Sequence, residues 1–232
     1  MKKTVSFLCS LALAGTFFSC GTTDTNSSLK DYTQYVDPFI GAADNGHTFP
    51  GACAPFGMIQ TSPVTGAVGW RYCSEYVNED SIIWGFTQSH LNGTGCMDLG
   101  DLLIMPVTGT RNRAWDAYRS GFSKDQEDAT PGYYTVELSE PGVKAELTAS
   151  ERVAFHRYTY HKADSASVLI DLQHGPAWNE RQYHSHVRSC ETQWEDAQTL
   201  TGHVNNSVWV NQDYFFVVKF NRPVTNHINL QM

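Results

Sequence analysis

The chain has 232 residues, of which 41% are hydrophobic, 12% aromatic and 17% charged, and it carries a formal net charge of −8. That apolar and aromatic content builds a core, which excludes a disordered chain. The acidic balance lacks the basic footprint that nucleic acid requires, so nucleic acid is excluded as a partner.

Met1, Lys2 and Lys3 precede the apolar run VSFLCSLALA (5–14). A run this short does not cross a bilayer and reads as an export signal. Two cleavage patterns compete. Ala12, Leu13 and Ala14 fit the small-x-small rule, while FFSC (17–20) resembles a bacterial lipobox that would leave Cys20 lipidated. The lipoprotein form is the preferred reading, with a signal over 1–19, a polar tether over 20–34 and a folded domain over 35–232. It predicts a periplasmic or outer-membrane protein held to the membrane only by lipid, with simple secretion as the alternative. Of the six cysteines, Cys53, Cys73, Cys96 and Cys190 remain for the folded domain. They form no CxxC pair, no disulfide framework and no zinc pattern.

Between 37 and 101 the chain is dense in glycine, with loops such as HLNGTGCMDLGD (90–101) around the brief apolar runs SIIWGF and LLIMP. Ordered irregular loops on a β scaffold are where ligand sites sit. From 132 onward strand signals dominate: GYYTVEL (132–138), VKAELTAS (143–150), VAFHRYTY (153–160), SVLIDL (167–172) and YFFVVKF (214–220). Each is short, rich in β-branched or aromatic residues, and bounded by turn residues. No stretch holds a 3.6-residue apolar period, so the predicted fold is an all-β, antiparallel β-sandwich.

Asp98 and Asp101 stand three apart, a pair that invites an acid/base reading, yet beside glycine they are read as loop caps. Glu75, Glu79 and Asp80 read as a solvated turn, and Trp84 as buried strand. His184 and His186 would share one strand face, a surface pair rather than a metal site. His47 and His90, each in a glycine-rich loop, could hydrogen-bond a sugar hydroxyl as neutral imidazoles. Trp70, in the loop context GWRY, offers an apolar face of the kind that stacks on a pyranose. No nucleophile–base arrangement and no phosphate loop is present.

DPFIG (37–41), GHTFPGA (46–52), PFGMIQ (55–60), GWRYCSEY (69–76), GFTQSHLNGTGCMDLGDLLIMP (85–106), YRSGFS (118–123), ATPGYYTVEL (129–138), VKAELTAS (143–150) and RVAFHRYTY (152–160) follow one another in fixed order. This succession resembles the amino-terminal region of the glycoside hydrolase family 92 α-mannosidases, and the quoted likeness ends near Gly175. The resemblance implies a β-sandwich that packs on an (α/α)6 barrel. It also implies an inverting, calcium-dependent exo-α-mannosidase whose catalytic carboxylates and calcium ligands are expected on that barrel. Mannose-containing glycans and the barrel domain are the implied partners, and no catalytic residue or metal ligand is expected in this chain. The sandwich loops complete the sugar pocket, a role the match carries onto Gly46, His47, Trp70, Cys73 and His90. Glu75 and Val77 stand where the resemblance implies Gly and His, a departure that bears on linkage preference, α-1,2 included. A stand-alone carbohydrate-binding lipoprotein is the alternative function.

Overall fold

The computed structural model describes residues 30–109, 117–162, 166–183 and 186–228. The export signal, Cys20 and His184 lie outside the described residues. The chain divides into two compact units, Met1–Asp31 and Tyr32–Met232, and the fold is that of the second.

Chain order begins with β1 (Ala52–Cys53), β2 (Gln60–Val64), β3 (Ile82–Ile83), β4 (Gly85–Thr87) and β5 (Leu103–Thr108). There follow β6 (Ser120–Gly121), β7 (Glu127–Thr130), β8 (Tyr133–Leu138), β9 (Val143–Ala149) and β10 (Ala154–Tyr160). The last are β11 (Ala166–Asp171), β12 (Val187–Asp196), β13 (Thr199–Ser207) and β14 (Asn211–Lys219). Among the described residues the only helices are three-residue 3-10 turns, one of which, Trp70–Tyr72, lies in the site.

The strands form a five-stranded sheet (β1-β2-β4-β5-β11), a four-stranded meander (β10-β9-β8-β7), a three-stranded meander (β12-β13-β14) and the pair β3-β6. Among the described residues every pairing between these strands is antiparallel. β8 alternates as its sequence predicts. Tyr134, Val136 and Leu138 are buried against Leu103, Met105, Val107 and Phe86, which fills the space between the four- and five-stranded sheets. Ile104 points the other way, into a second core with Val204 and Phe216 of the three-stranded sheet. β5 is thus covered on both faces, the physical reason its sequence is a continuous apolar run rather than an alternating one.

β8, β9, β10 and β11 lie within a residue of their predicted bounds. β12 and β13 were not legible: VRSCETQWED is exposed along most of its length, and pairing rather than hydrophobic pattern holds it. Trp84 is not within a strand. It sits half-buried in the gap between β3 and β4, with the Arg119 guanidinium 3.4 Å from its ring centroid. The outer face of β14 exposes Phe215 and Val217, and Trp209 stands free on the turn before it.

Candidate functional site

Three irregular segments, 41–51, 66–75 and 88–101, meet over the β2–β4 region. Each is closed at its base by main-chain bonds. The Glu75 carbonyl accepts from Thr65 (2.8 Å) and Gly66 (3.2 Å), Gly41 accepts from Thr48 (3.3 Å), and Ser89 accepts from Gly100 (3.0 Å). The backbone is strained there. Asp44, His47, Glu75 and Leu99 have positive φ between 51° and 62°, a region costly for residues with a Cβ and concentrated at functional sites.

Gly46 lets the first segment fold tightly, because a Cβ there would stand 2.0 Å from the Gly41 carbonyl oxygen. The next residue, His47, is turned inward, and its carbonyl accepts from the Gly93 N–H at 2.6 Å. The His47 ring meets the Trp70 indole edge-on, with centroids 4.4 Å apart and planes at 86°. Its Nε2 is buried without a hydrogen-bond partner among the described residues. Trp70 donates its indole N–H to the Gly95 carbonyl at 3.0 Å, yet remains 49% exposed. The indole is thus held from two sides, with part of its surface open to solvent.

Cys73 and His90 stand behind this surface. The Cys73 thiol is buried, donates to Met97 Sδ at 3.4 Å, and is pushed up to about 11 by burial and by neighbouring Cys96, so it is no nucleophile at neutral pH. The four cysteines of the folded unit are free thiols. His90 is buried with both nitrogens engaged: Nδ1 donates to the Gln60 carbonyl at 2.7 Å, and Nε2 lies 3.0 Å from Thr87 Oγ1. Burial lowers its pKa against the pull of Glu75 and of the Gln60 carbonyl. Of the five residues expected to face a sugar, Trp70 alone forms the open wall, the buried His47 ring stands against it, and Gly46 shapes the His47 loop. Cys73 and His90 support the wall from within.

Glu75 is the largest departure from expectation. It is 1% exposed, not part of a solvated turn. Its Oε1 accepts from His174 Nε2 at 2.8 Å, and Tyr183 OH lies 2.8 Å from His174 Nδ1. Its Oε2 accepts from the Thr87 hydroxyl at 2.9 Å and stands 3.5 Å from His90 Nε2. Burial opposes ionisation, but His174, His90 and the Thr87 hydroxyl outweigh it and hold the carboxyl below its ordinary range. Gly100 passes directly over this group, since a Cβ there would lie 2.5 Å from Oε1. One buried carboxylate thereby joins the segments 66–75, 85–90 and 174–183. Glu79, by contrast, is exposed and pairs with Arg71 at 3.2 Å.

Two further expectations change. His186 is buried rather than on the surface, with Nε2 3.2 Å from the His174 carbonyl. Asp98 and Asp101, read as loop caps, are buried, and both also bond to the β13–β14 hairpin. Among the described residues no three His, Cys, Asp or Glu side chains converge as a metal-ligand set.

An antiparallel sandwich bearing a half-exposed indole against a buried imidazole defines a β-rich loop platform with an aromatic wall. The model of the glycosyl hydrolase family 92 N-terminal domain matches residues 35–230, well past Gly175, and the chain belongs to that family. The chain is 36% identical to the family GH92 α-mannosidase BT3965 of Bacteroides thetaiotaomicron, solved in complex with mannoimidazole. The two superpose with a TM-score of 0.74 over 83% of this chain and 26% of that one. The inverting mannosidase BT2199 of the same organism is 26% identical, with a TM-score of 0.68 over 83% of this chain and 25% of its own. An uncharacterized secreted glycosidase of Arthroderma benhamiae is 30% identical over 158 residues, covering 61% of this chain and 20% of that protein. The chain thus spans about a quarter or less of the length of these relatives.

Proposed function

We propose that this chain is the sandwich part of an exported, calcium-dependent, inverting exo-α-mannosidase, supplying one wall of the sugar pocket to an (α/α)6 catalytic domain. The observation that carries this reading is the Trp70–His47 pair on three strained, mutually braced loops. An indole anchored through its N–H offers an apolar surface for the C–H side of a pyranose without further ordering cost. The buried His47 ring backs the indole edge-on and fixes its orientation. The general acid and base belong to the other domain. Exposed Phe215, Val217 and Trp209 support a surface meant to be covered.

The test is Trp70→Ala in the full-length enzyme with α-linked mannobioses as substrates. The expected result is a loss of about 10–100-fold in kcat/KM, corresponding to about 1–3 kcal/mol of lost stacking, with Tm nearly unchanged. A large fall in Tm with unaltered kcat/KM overturns the reading and makes Trp70 a packing residue. Export as a lipoprotein is tested separately. Cys20→Ala releases the protein from membrane fractions if Cys20 carries the lipid, and unchanged membrane association refutes it.

A further inference from the structure

The hairpin of β1 and β2 pairs Ala52 with Thr61 and Cys53 with Gln60, and its turn carries Pro55, Phe56 and Met58. At its return Gln60 is bound into the candidate site: its N–H donates to the Gln88 carbonyl at 3.0 Å, and its carbonyl accepts from His90 Nδ1 at 2.7 Å. The turn itself is held by its main chain. The Gly57 N–H donates to the Ala54 carbonyl at 2.9 Å, and the Glu151 carbonyl accepts from Met58 at 2.8 Å and from Ile59 at 3.3 Å.

Phe56 departs from the ordinary in two independent ways. Its φ is 58°, a left-handed conformation in which the Cβ crowds the following carbonyl, and bulky residues rarely adopt it. Its side chain is also 107% exposed, so burial within this chain does not offset that strain. Met58 beside it is 61% exposed, and Val153 and Phe155, just past Glu151, are 59% and 65% exposed. Four exposed apolar side chains thus come from one strained turn and the strand start bonded to it. Single exposed apolar residues need no explanation, but a group of them marks a surface that another body covers.

We infer that Phe56 is the anchor through which the sandwich docks on the (α/α)6 domain, with Met58, Val153 and Phe155 as the apolar rim of that contact. The inference rests on the proposed reading of the chain as one part of a larger enzyme, and it adds where the second part is held. Two observations select that occupant over a second copy of the chain. Phe56 stands four residues from Gln60, at most about 14 Å along the chain, so a domain closing the sugar pocket over Trp70 has the tip within reach. The chain also covers only 26% of the BT3965 mannosidase, so in that relative the greater part of the protein lies outside the matched region. An aromatic anchor held rigid before docking loses little further freedom, and such anchors dominate interface energies.

The experiment places Phe56→Gly in both the purified chain and the full-length enzyme and follows thermal unfolding. In the chain alone, where the ring meets water, Tm is expected to hold or to rise by up to about 4 °C as the strain is relieved. In the full-length enzyme the sandwich is expected to unfold at least about 4 °C lower, because a buried anchor is lost. Amide hydrogen exchange supplies a second measure. The N–H groups of 57–60 are expected to exchange at least about 10-fold more slowly in the full-length enzyme than in the chain alone, and Phe56→Gly removes the difference. Equal shifts in both contexts overturn the inference, as does a full-length enzyme that Phe56→Gly leaves unchanged. Concentration-dependent dimerisation of the chain alone that Phe56→Gly abolishes assigns the tip to a second copy and overturns it too. Turnover is not the readout: the contrast between the two contexts, in a full-length protein that cleaves no mannoside, upholds the docking and defeats only the sugar-facing reading of Trp70.

Discussion

Replacing Glu75 with alanine removes the carboxylate that holds three segments of the site together. His174 Nε2 and the Thr87 hydroxyl, which donate to it at 2.8 and 2.9 Å, are then left in a cavity. Each of the two buried donors left without a partner costs about 1–3 kcal/mol, and the cavity left by the side chain adds to that. Glu75→Ala is therefore expected to destabilise by about 3–5 kcal/mol, which for a domain of this size lowers Tm by about 10 °C. Glu75→Gly separates strain from chemistry. With φ at 61°, the position favours glycine, so this variant recovers about 1 kcal/mol of backbone strain while still losing the carboxylate. Glu75→Gln behaves differently again. Its amide oxygen accepts from His174, its amide N–H donates to Thr87 Oγ1, and the Thr87 hydroxyl turns to His90 Nε2 at 3.0 Å. Every group stays satisfied, and the expected loss is below about 1 kcal/mol. Urea unfolding followed by circular dichroism measures all three. A cost below about 1 kcal/mol for Glu75→Ala would refute the hub and return Glu75 to a solvated turn.

Acid stability supplies the next expectation. Burial lowers the His156 pKa from 6.5 to about 4, so the folded state resists its protonation and loses stability as pH falls through that window. The loss is about 3 kcal/mol and complete below about pH 4. Asp101, raised to about 6, acts in the opposite sense: the fold gains stability as pH falls from about 6 toward 3.8. The stability difference between wild type and His156→Gln isolates the histidine, and it should shift by about 3 kcal/mol in favour of the variant between pH 7 and pH 4; a constant difference contradicts the assignment. Gly46→Ala drives a methyl group into the Gly41 carbonyl, which is backbone and cannot swing aside. A cost of about 1–3 kcal/mol, with a change in Trp70 fluorescence as His47 moves, is expected. Unchanged stability and emission together would show that the turn has room.

Local signals determined much of this protein. Turn residues at 130–132 and 140–142 bound strands whose Tyr134, Val136 and Leu138 alternate inward, and an alternating pattern needs only neighbouring residues to specify a half-buried strand. The order of the glycine-rich motifs likewise carried the family, and the loops they mark are those that meet at Trp70. The tertiary structure alone decided what those loops do. β12 and β13 are strands because Leu200 pairs with Val218 on one side and Trp194 on the other, since their own sequence is too polar to show it. Trp70 became an anchored wall only when Gly95, 25 residues on, offered its carbonyl. Glu75 sits among Ser, Asn, Glu and Asp and so reads as exposed, yet its burial and charge are set by His174, 99 residues away. A carboxylate's state depends on which donors and how much solvent surround it, and that neighbourhood is assembled by strand pairing across the chain rather than by adjacent residues.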